Sequence, residues 1–470
     1  MKPAFFQSAI IKYSILILVV GYAVFTQFYK LGELAIIQWD ESRLAVNAAE
    51  MHQSGKLLVT TYENEPDLFN TKPPLMIWLQ ALSIGCFGVN EFAIRFPAAL
   101  AGIITILLVG WMVYGAVRNI YTACLAMVIL TTCDGFIQLH GSITGDFDAL
   151  LACFIVAGMH CANQFFIKRK RIFLIGFITM VALSLLTKSA AAILFFPVYY
   201  VVFFQQLRFA GLKWVSIALM IAIVPLIVFY VLRENAAPGY LSAIWENEFG
   251  GRFLKEKDGH EGAWHYYIVH LFTLRFSWWI WLLPVAMLYG FIKKVKLLNQ
   301  YSLVILVFIA GISAAQTKLE WYDLPVFPFI AILLALFIDY LVNHHSSILI
   351  KISTAIVVSI CMVQSIYVKF NFTYARKDMR LGFDIYEMSN YIKKWDSKDA
   401  LYYHNGNYDA WLYFYTLSKQ NIQRCNFKTI KTGHHIVIEN NTEDSFRHHY
   451  HYIVKDSFTH VKTIQISSIK

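Results

Sequence analysis

KWVSIALMIAIVPLIVFYVL, residues 213–232, decides the fold: after Lys213 no charge recurs before Arg233. A helix of that length rises about 30 Å, the thickness of a bilayer's hydrocarbon core. Runs of the same kind recur at 9–28, 93–117, 120–138, 146–166, 172–186, 189–207, 275–292, 301–316, 322–341 and 348–368. A further run, 74–88, is shorter; it opens on Pro73-Pro74 and ends at Gly85 and Gly88, which suits an interfacial helix. Composition agrees: 58% of residues are hydrophobic and 15% charged, against roughly 45–50% and about 25% in soluble chains. The 16% of aromatic residues, with 12 Trp and 27 Tyr, suits a chain that meets two membrane–water interfaces. The expected fold is an all-α polytopic membrane protein of about 11–13 transmembrane helices.

A net charge of +10 raises nucleic-acid binding, but Lys and Arg fall in short clusters between apolar runs, as membrane topology requires. With the 168–171 cluster Lys-Arg-Lys-Arg inside, alternation also puts inside the N-terminus, Arg118, Arg208 with Lys213, Lys293-Lys294-Lys296, and His344-His345 with Lys351. Outside then lie 29–92, 139–145, the 187–188 corner, 233–274, 317–321 and 369–470. The seven Cys are scattered and form no CxxC pair, so neither a disulfide framework nor a zinc site is indicated. The basic N-terminus resembles a signal sequence without a small-residue cleavage site, which reads as a retained first helix.

The organisation expected is a membrane domain over 1–370, with a functional first outer loop at 29–92, and a small α/β domain over 371–470. In the latter, Ile385, Met388, Ile392 and Trp395 keep a helical period, β-prone runs follow at 400–404, 434–438, 451–454 and 462–466, and 408–417 reads as helix.

The outer loops carry the polar chemistry. The first has Trp39-Asp40-Glu41-Ser42-Arg43 and Asn70-Thr71-Lys72-Pro73-Pro74. Adjacent acids suit either a tunable base or the first turn of a helix, and Lys72 suits either a phosphate contact or a membrane-edge anchor. Asp146 and Asp148 open a later span, where an N-cap and first-turn acid is the plainer reading. Lys188 forms the tip of a tight corner. The 233–274 loop adds Arg252, Lys255, Lys257, His260, His265 and His270, without the spacing of a metal site. Lys318, Trp321, Tyr322 and Asp323 close the last such hairpin. Acids and cations gathered on one side are what group transfer from a lipid phosphate requires: cations for the leaving phosphate and a carboxylate for an acceptor proton.

In this order, Asp-Glu-x-Arg, Asn-x-Lys-Pro-Pro-Leu, Gly-Asp-x-Asp-Ala-Leu-Leu, Leu-Thr-Lys, Arg-Phe with a later Gly-His, and Thr-Lys-Leu-x-Trp-Tyr-x-Leu-Pro, the motifs resemble those of GT-C fold membrane glycosyltransferases. They are closest to the family joining protein O-mannosyltransferases to the lipid A aminoarabinose transferase, over about Ile36 to Pro328. The resemblance implies transfer of a sugar, with inversion, from a polyprenyl-phosphate donor to a lipid, protein or glycan acceptor on the extracytoplasmic face of a bacterial inner membrane. By matching motifs, Asp40 would be the catalytic carboxylate, with Glu41 and Arg43 shaping its field and Asp146 and Asp148 forming a second acidic site. Lys72, Arg252, Tyr322 and Lys318 would contact the donor phosphate, with His260 in support. No metal or other cofactor is expected. Thr187-Lys188-Ser189-Ala190 stands where relatives often have Lys-Gly-Pro, which weakens a role for Lys188. The rival from another class is a polyprenyl-phosphate-lipid transporter or flippase, although the span interiors are nearly free of charge and show no repeated half.

Overall fold

The computed structural model describes every residue except 1–8, 38, 139, 252–258, 277, 345–346, 376–382, 396–398, 404–409, 420 and 460. Among the described residues, eight helices are long and apolar enough to cross a membrane: Ala9–Phe28, Glu91–Val117, Asp148–Lys168, Ser189–Leu207, Phe209–Ala236, Lys296–Ala314, Glu320–Asn343 and Ile348–Asn371. Shorter apolar helices cover Leu75–Phe87, Ile120–Thr131, Arg171–Thr187 and Trp278–Lys293. The last three of these lie on expected spans, and Leu75–Phe87 is the stretch set aside as interfacial. The chain is a multi-pass, helical membrane protein.

Four tight corners of the membrane region each place a basic residue at positive φ just past a helix end. Arg118, Arg169, Arg208 and Lys294 follow directly on Val117, Lys168, Leu207 and Lys293, with φ of 55°, 55°, 56° and 54°. The left-handed region costs a residue with a Cβ roughly 1–2 kcal/mol. A cation there sits beside the last carbonyls of its helix, where the helix dipole favours it. These corners carry four of the basic clusters that the sequence groups on one side.

The chain divides into two compact units: Met1–Tyr29, Thr71–Met76 and Pro97–Lys369 in the first, Lys30–Asn70, Ile77–Phe96 and Phe370–Lys470 in the second. In the first unit the Asp148–Lys168 helix packs on Arg171–Thr187, which packs on Phe209–Ala236. Buried Phe177 meets Tyr199 and Phe203 with ring centroids 5.1 and 5.2 Å apart. Gly102 lets two segments approach closely, because a Cβ there would lie 2.7 Å from that of Ser142.

The second unit departs from the boundary at 370 expected from the sequence. Its C-terminal part begins there, but it also takes in most of the first outer loop. Ion pairs and hydrogen bonds from the last hundred residues to Glu50, Glu63 and Glu91 account for this. Its five-stranded sheet has the order Ile422–Arg424, Leu401–Tyr403, His435–Glu439, Val461–Ile469, Tyr450–Ser457. The first three strands run parallel and the last two pairings are antiparallel. One face buries Ile436, Ile438, Ile464 and Ile466 against Phe446 of the Glu443–His449 helix. The helices foreseen near 385–395 and 408–417 form as Phe383–Lys394 and Ala410–Ser418, while the Ile422–Arg424 strand and the Glu443–His449 helix had no periodic signal.

Candidate active site

In the second unit, Arg95 organises the loop that ends at Asp40. Its Nε donates to Glu41 Oε1 at 2.7 Å and its Nη2 to Glu41 Oε2 at 2.9 Å. Nη1 reaches the carbonyls of Leu31 and Leu34 at 3.0 and 2.8 Å, and Nη2 that of Ala35 at 2.8 Å. Glu41 Oε2 also accepts the Ile37 N–H at 2.7 Å. Both side chains of this pair are only 1% exposed. Trp39 follows at φ 74° and the Asp40–Ser54 helix starts at the next residue. The adjacent acids are therefore unlike: Glu41 is buried and neutralised by Arg95, whereas Asp40 is exposed in the first turn.

One turn on, Arg43 binds Asp67 through two 2.8 Å bonds and lies 3.8 Å over the Tyr62 ring. Asp67 also accepts from Asn47 Nδ2 at 2.9 Å and from the Phe69 N–H at 2.9 Å. Burial would raise the Asp67 carboxyl, but the Arg43 hydrogen bond and charge outweigh it and hold it below the usual range. Arg43 thus pins the 61–70 turn to the helix that begins at Asp40.

In the first unit, Asp148 opens its helix and binds the Lys188 ammonium with both oxygens, at 2.7 and 2.9 Å. Lys188 lies 5.0 Å from the centre of the Tyr322 ring. Burial alone would lower the Lys188 ammonium, but the Asp148 charge outweighs it and raises it. Asp146, in the turn before, takes other partners: Thr144 Oγ1 at 2.9 Å and His140 Nδ1 at 3.2 Å. His140 stacks on Trp321 at 3.6 Å.

Lys72 pairs with Glu248 at 3.0 Å, and Thr71 Oγ1 donates to the same carboxylate at 2.7 Å. The Tyr240 hydroxyl donates to the carbonyls of Thr71 and Lys72, at 3.1 and 3.2 Å, and so fixes the turn before the double proline. The Lys318 ammonium donates to the carbonyls of Ser313, at 2.6 Å, and Ala315, which places it at the C-terminal end of the Lys296–Ala314 helix. Burial pushes this ammonium below its ordinary range. His260 is exposed, and its carbonyl accepts the Lys318 N–H at 2.7 Å. Arg252, with Lys255 and Lys257, lies outside the described residues.

Arg95, Glu248 and His140 belong to none of the sequence motifs, and Lys188 sits where the chain departs from one. An arginine early in the apolar run 93–117 is a signal for Arg95, since a charge in such a run needs a buried partner. Nothing local marks Glu248 or His140.

The family described as dolichyl-phosphate-mannose-protein mannosyltransferase matches residues 17–236. An uncharacterized protein of Aquifex aeolicus is 26% identical over 364 residues, 74% of this chain and 68% of that one. An undecaprenyl phosphate-alpha-4-amino-4-deoxy-L-arabinose arabinosyl transferase of Proteus mirabilis is 28% identical over 356 residues, 71% of this chain and 61% of that protein. Among solved structures, apo ArnT from Cupriavidus metallidurans superposes with a TM-score of 0.68 at 16% identity, covering 97% of this chain and 98% of that one. The same protein bound to undecaprenyl phosphate gives 0.65 at 15% identity, covering 96% and 97%. The chain thus has the fold of these ArnT structures, and residues 17–236 are similar to the mannosyltransferase family.

Proposed function

We propose that the chain transfers a sugar from a polyprenyl-phosphate-linked donor to an acceptor on the extracytoplasmic face of a bacterial inner membrane, in one inverting displacement. The observation that carries the reading is the separation of the two acids at 40 and 41. Arg95 neutralises Glu41, and Asp40 remains an exposed carboxylate at a helix start. The arabinosyl transferase named above, whose name carries an undecaprenyl phosphate sugar, supports the donor class.

In the proposed step, the acceptor oxygen forms a bond to the anomeric carbon while the bond from that carbon to the phosphate oxygen breaks. The electron pair leaves with polyprenyl phosphate. Lys72 and Arg252 meet the charge that grows on that phosphate, with Tyr322 and Lys318 assigned to the same group. For a hydroxyl acceptor the proton passes to Asp40. A phosphate acceptor is already ionised and needs no strong base, so Asp40 then orients the sugar. Asp146 and Asp148 serve the sugar or acceptor, and Glu41, Arg43 and His260 support. Because side-chain cations meet the leaving charge, the proposed reaction needs no divalent metal. Turnover therefore survives a chelator, and its abolition by chelation, with recovery on adding Mg²⁺ or Mn²⁺, would contradict this.

Labelled polyprenyl-phosphate sugar given to the purified protein separates transfer from transport, since a flippase leaves the donor intact. Asp40→Asn then identifies the acceptor chemistry. A loss of about 10²–10⁴-fold marks a hydroxyl acceptor, and a much smaller one a phosphate. Wild-type turnover in Lys72→Ala sinks the leaving-group assignment.

A further inference from the structure

The last hundred residues reach the peptide that launches Asp40. Tyr415, in the Ala410–Ser418 helix, is buried at 4% exposure. Its hydroxyl donates to Glu91 Oε1 at 2.7 Å and accepts the Ile36 N–H at 3.3 Å. Lys393 adds an ion pair to the same Glu91 at 2.9 Å and a bond to the Gly32 carbonyl at 3.2 Å. Glu91 lies one helical turn before Arg95 on the same helix, and Arg95 holds the carbonyls of Leu31, Leu34 and Ala35 together with Glu41. The segment 31–37 is thus held by Arg95, Tyr415 and Lys393 together.

That grip answers a local need. Trp39 has φ 74° and ψ −112°, a region costly for a residue with a side chain, and it persists only where its surroundings dictate it. The residues before it have to be fixed for Asp40 to emerge at a single place. Other contacts of the same domain lie farther along. Tyr413 donates to Glu50 at 3.0 Å, ten positions past Asp40, and Arg424 pairs with exposed Glu63 at 2.9 Å.

We infer that Tyr415 is a positioning residue for Asp40: its hydroxyl bridges Glu91 and the Ile36 N–H, and through them the C-terminal domain sets where the carboxylate stands. Burial and the Glu91 charge push the Tyr415 phenol well above its ordinary range, so it stays protonated and donates at every working pH. The inference rests on the proposed role of Asp40, but its structural half is measurable without turnover.

The test uses the full-length protein with Tyr415→Phe, which removes one oxygen, and Tyr413→Phe as the control in the same helix. Tyr415→Phe lowers kcat for donor cleavage about tenfold, the size of one lost positioning bond, while KM for the donor stays within about twofold. Amide exchange over residues 36–44 speeds up in that variant. Tyr413→Phe changes neither. Glu91→Gln keeps an oxygen for the Tyr415 hydroxyl and retains more kcat than Glu91→Ala. Wild-type kcat and exchange in Tyr415→Phe would overturn the inference. So would equal losses in Tyr413→Phe, which would reduce the contact to general stabilisation. A wild-type protein that cleaves no donor would defeat the functional reading instead, and exchange over 36–44 would still decide the role of Tyr415.

Discussion

Each acidic cluster contains one buried acid–base pair, and the two pairs are built differently. In Glu41–Arg95 the guanidinium spends its fork on both carboxylate oxygens and three loop carbonyls. In Asp148–Lys188 a single ammonium meets one carboxylate and lies near one aromatic ring. Arginine's rigid donors make the first pair a knot that shapes the backbone, while lysine's point charge makes the second a local neutralisation. The first should fail wholesale when cut, and the second should be repairable.

The largest expected effect is Arg95→Ala. It strands a buried carboxylate and three carbonyls, costs about 3–5 kcal/mol, and leaves little folded protein on size-exclusion of the solubilised chain. Arg95→Lys does not restore it, because an ammonium cannot span the same acceptors. A well-folded Arg95→Lys protein would erase the contrast. Next comes Lys188→Met, which strands Asp148 and lowers stability by about 3 kcal/mol in thermal unfolding. Adding Asp148→Asn removes the buried charge and recovers most of that loss, whereas Glu41→Gln does not recover Arg95→Met. Equal recovery in both double variants would break the distinction.

A smaller effect depends on pH. Asp67 is held below its unfolded value, so its contribution is fully present above about pH 4 and is lost as pH falls through the lower folded value. The stability gap between wild type and Asp67→Asn is therefore flat near neutrality and closes on acidification. A gap that widened in acid would reverse the sign. Smallest is Arg424→Ala, an exposed pair with Glu63, expected to shift stability by about 0.5 kcal/mol or less.

Much of the membrane region was legible because hydropathy is a local property: a run such as 213–232 announces itself wherever its neighbours lie. The short helix at Leu75–Phe87 was legible for the same reason, from the length of the 74–88 run and its prolines. Asp40 and Lys72 stood out through motif order. Their settings did not, because those depend on pairings far apart in sequence, such as Glu41 with Arg95 and Thr71 with Glu248. Lys188 was discounted on a departure from a motif, yet its ammonium is held by the Asp148 carboxylate. The C-terminal strands followed from alternation, but their union with the first outer loop rests on single hydroxyls and charges, Tyr415 and Lys393 among them, that no periodicity marks.

The proposed reaction breaks the bond between a sugar and a polyprenyl phosphate. The most direct measurement incubates the purified chain in nanodiscs with labelled polyprenyl-phosphate sugar and a bacterial membrane extract, then separates the lipid products. Free polyprenyl phosphate, with label moved to an acceptor and both lost in Lys72→Ala, is the predicted result. Donor that crosses the bilayer or stays bound but remains uncleaved across a range of sugars would contradict it.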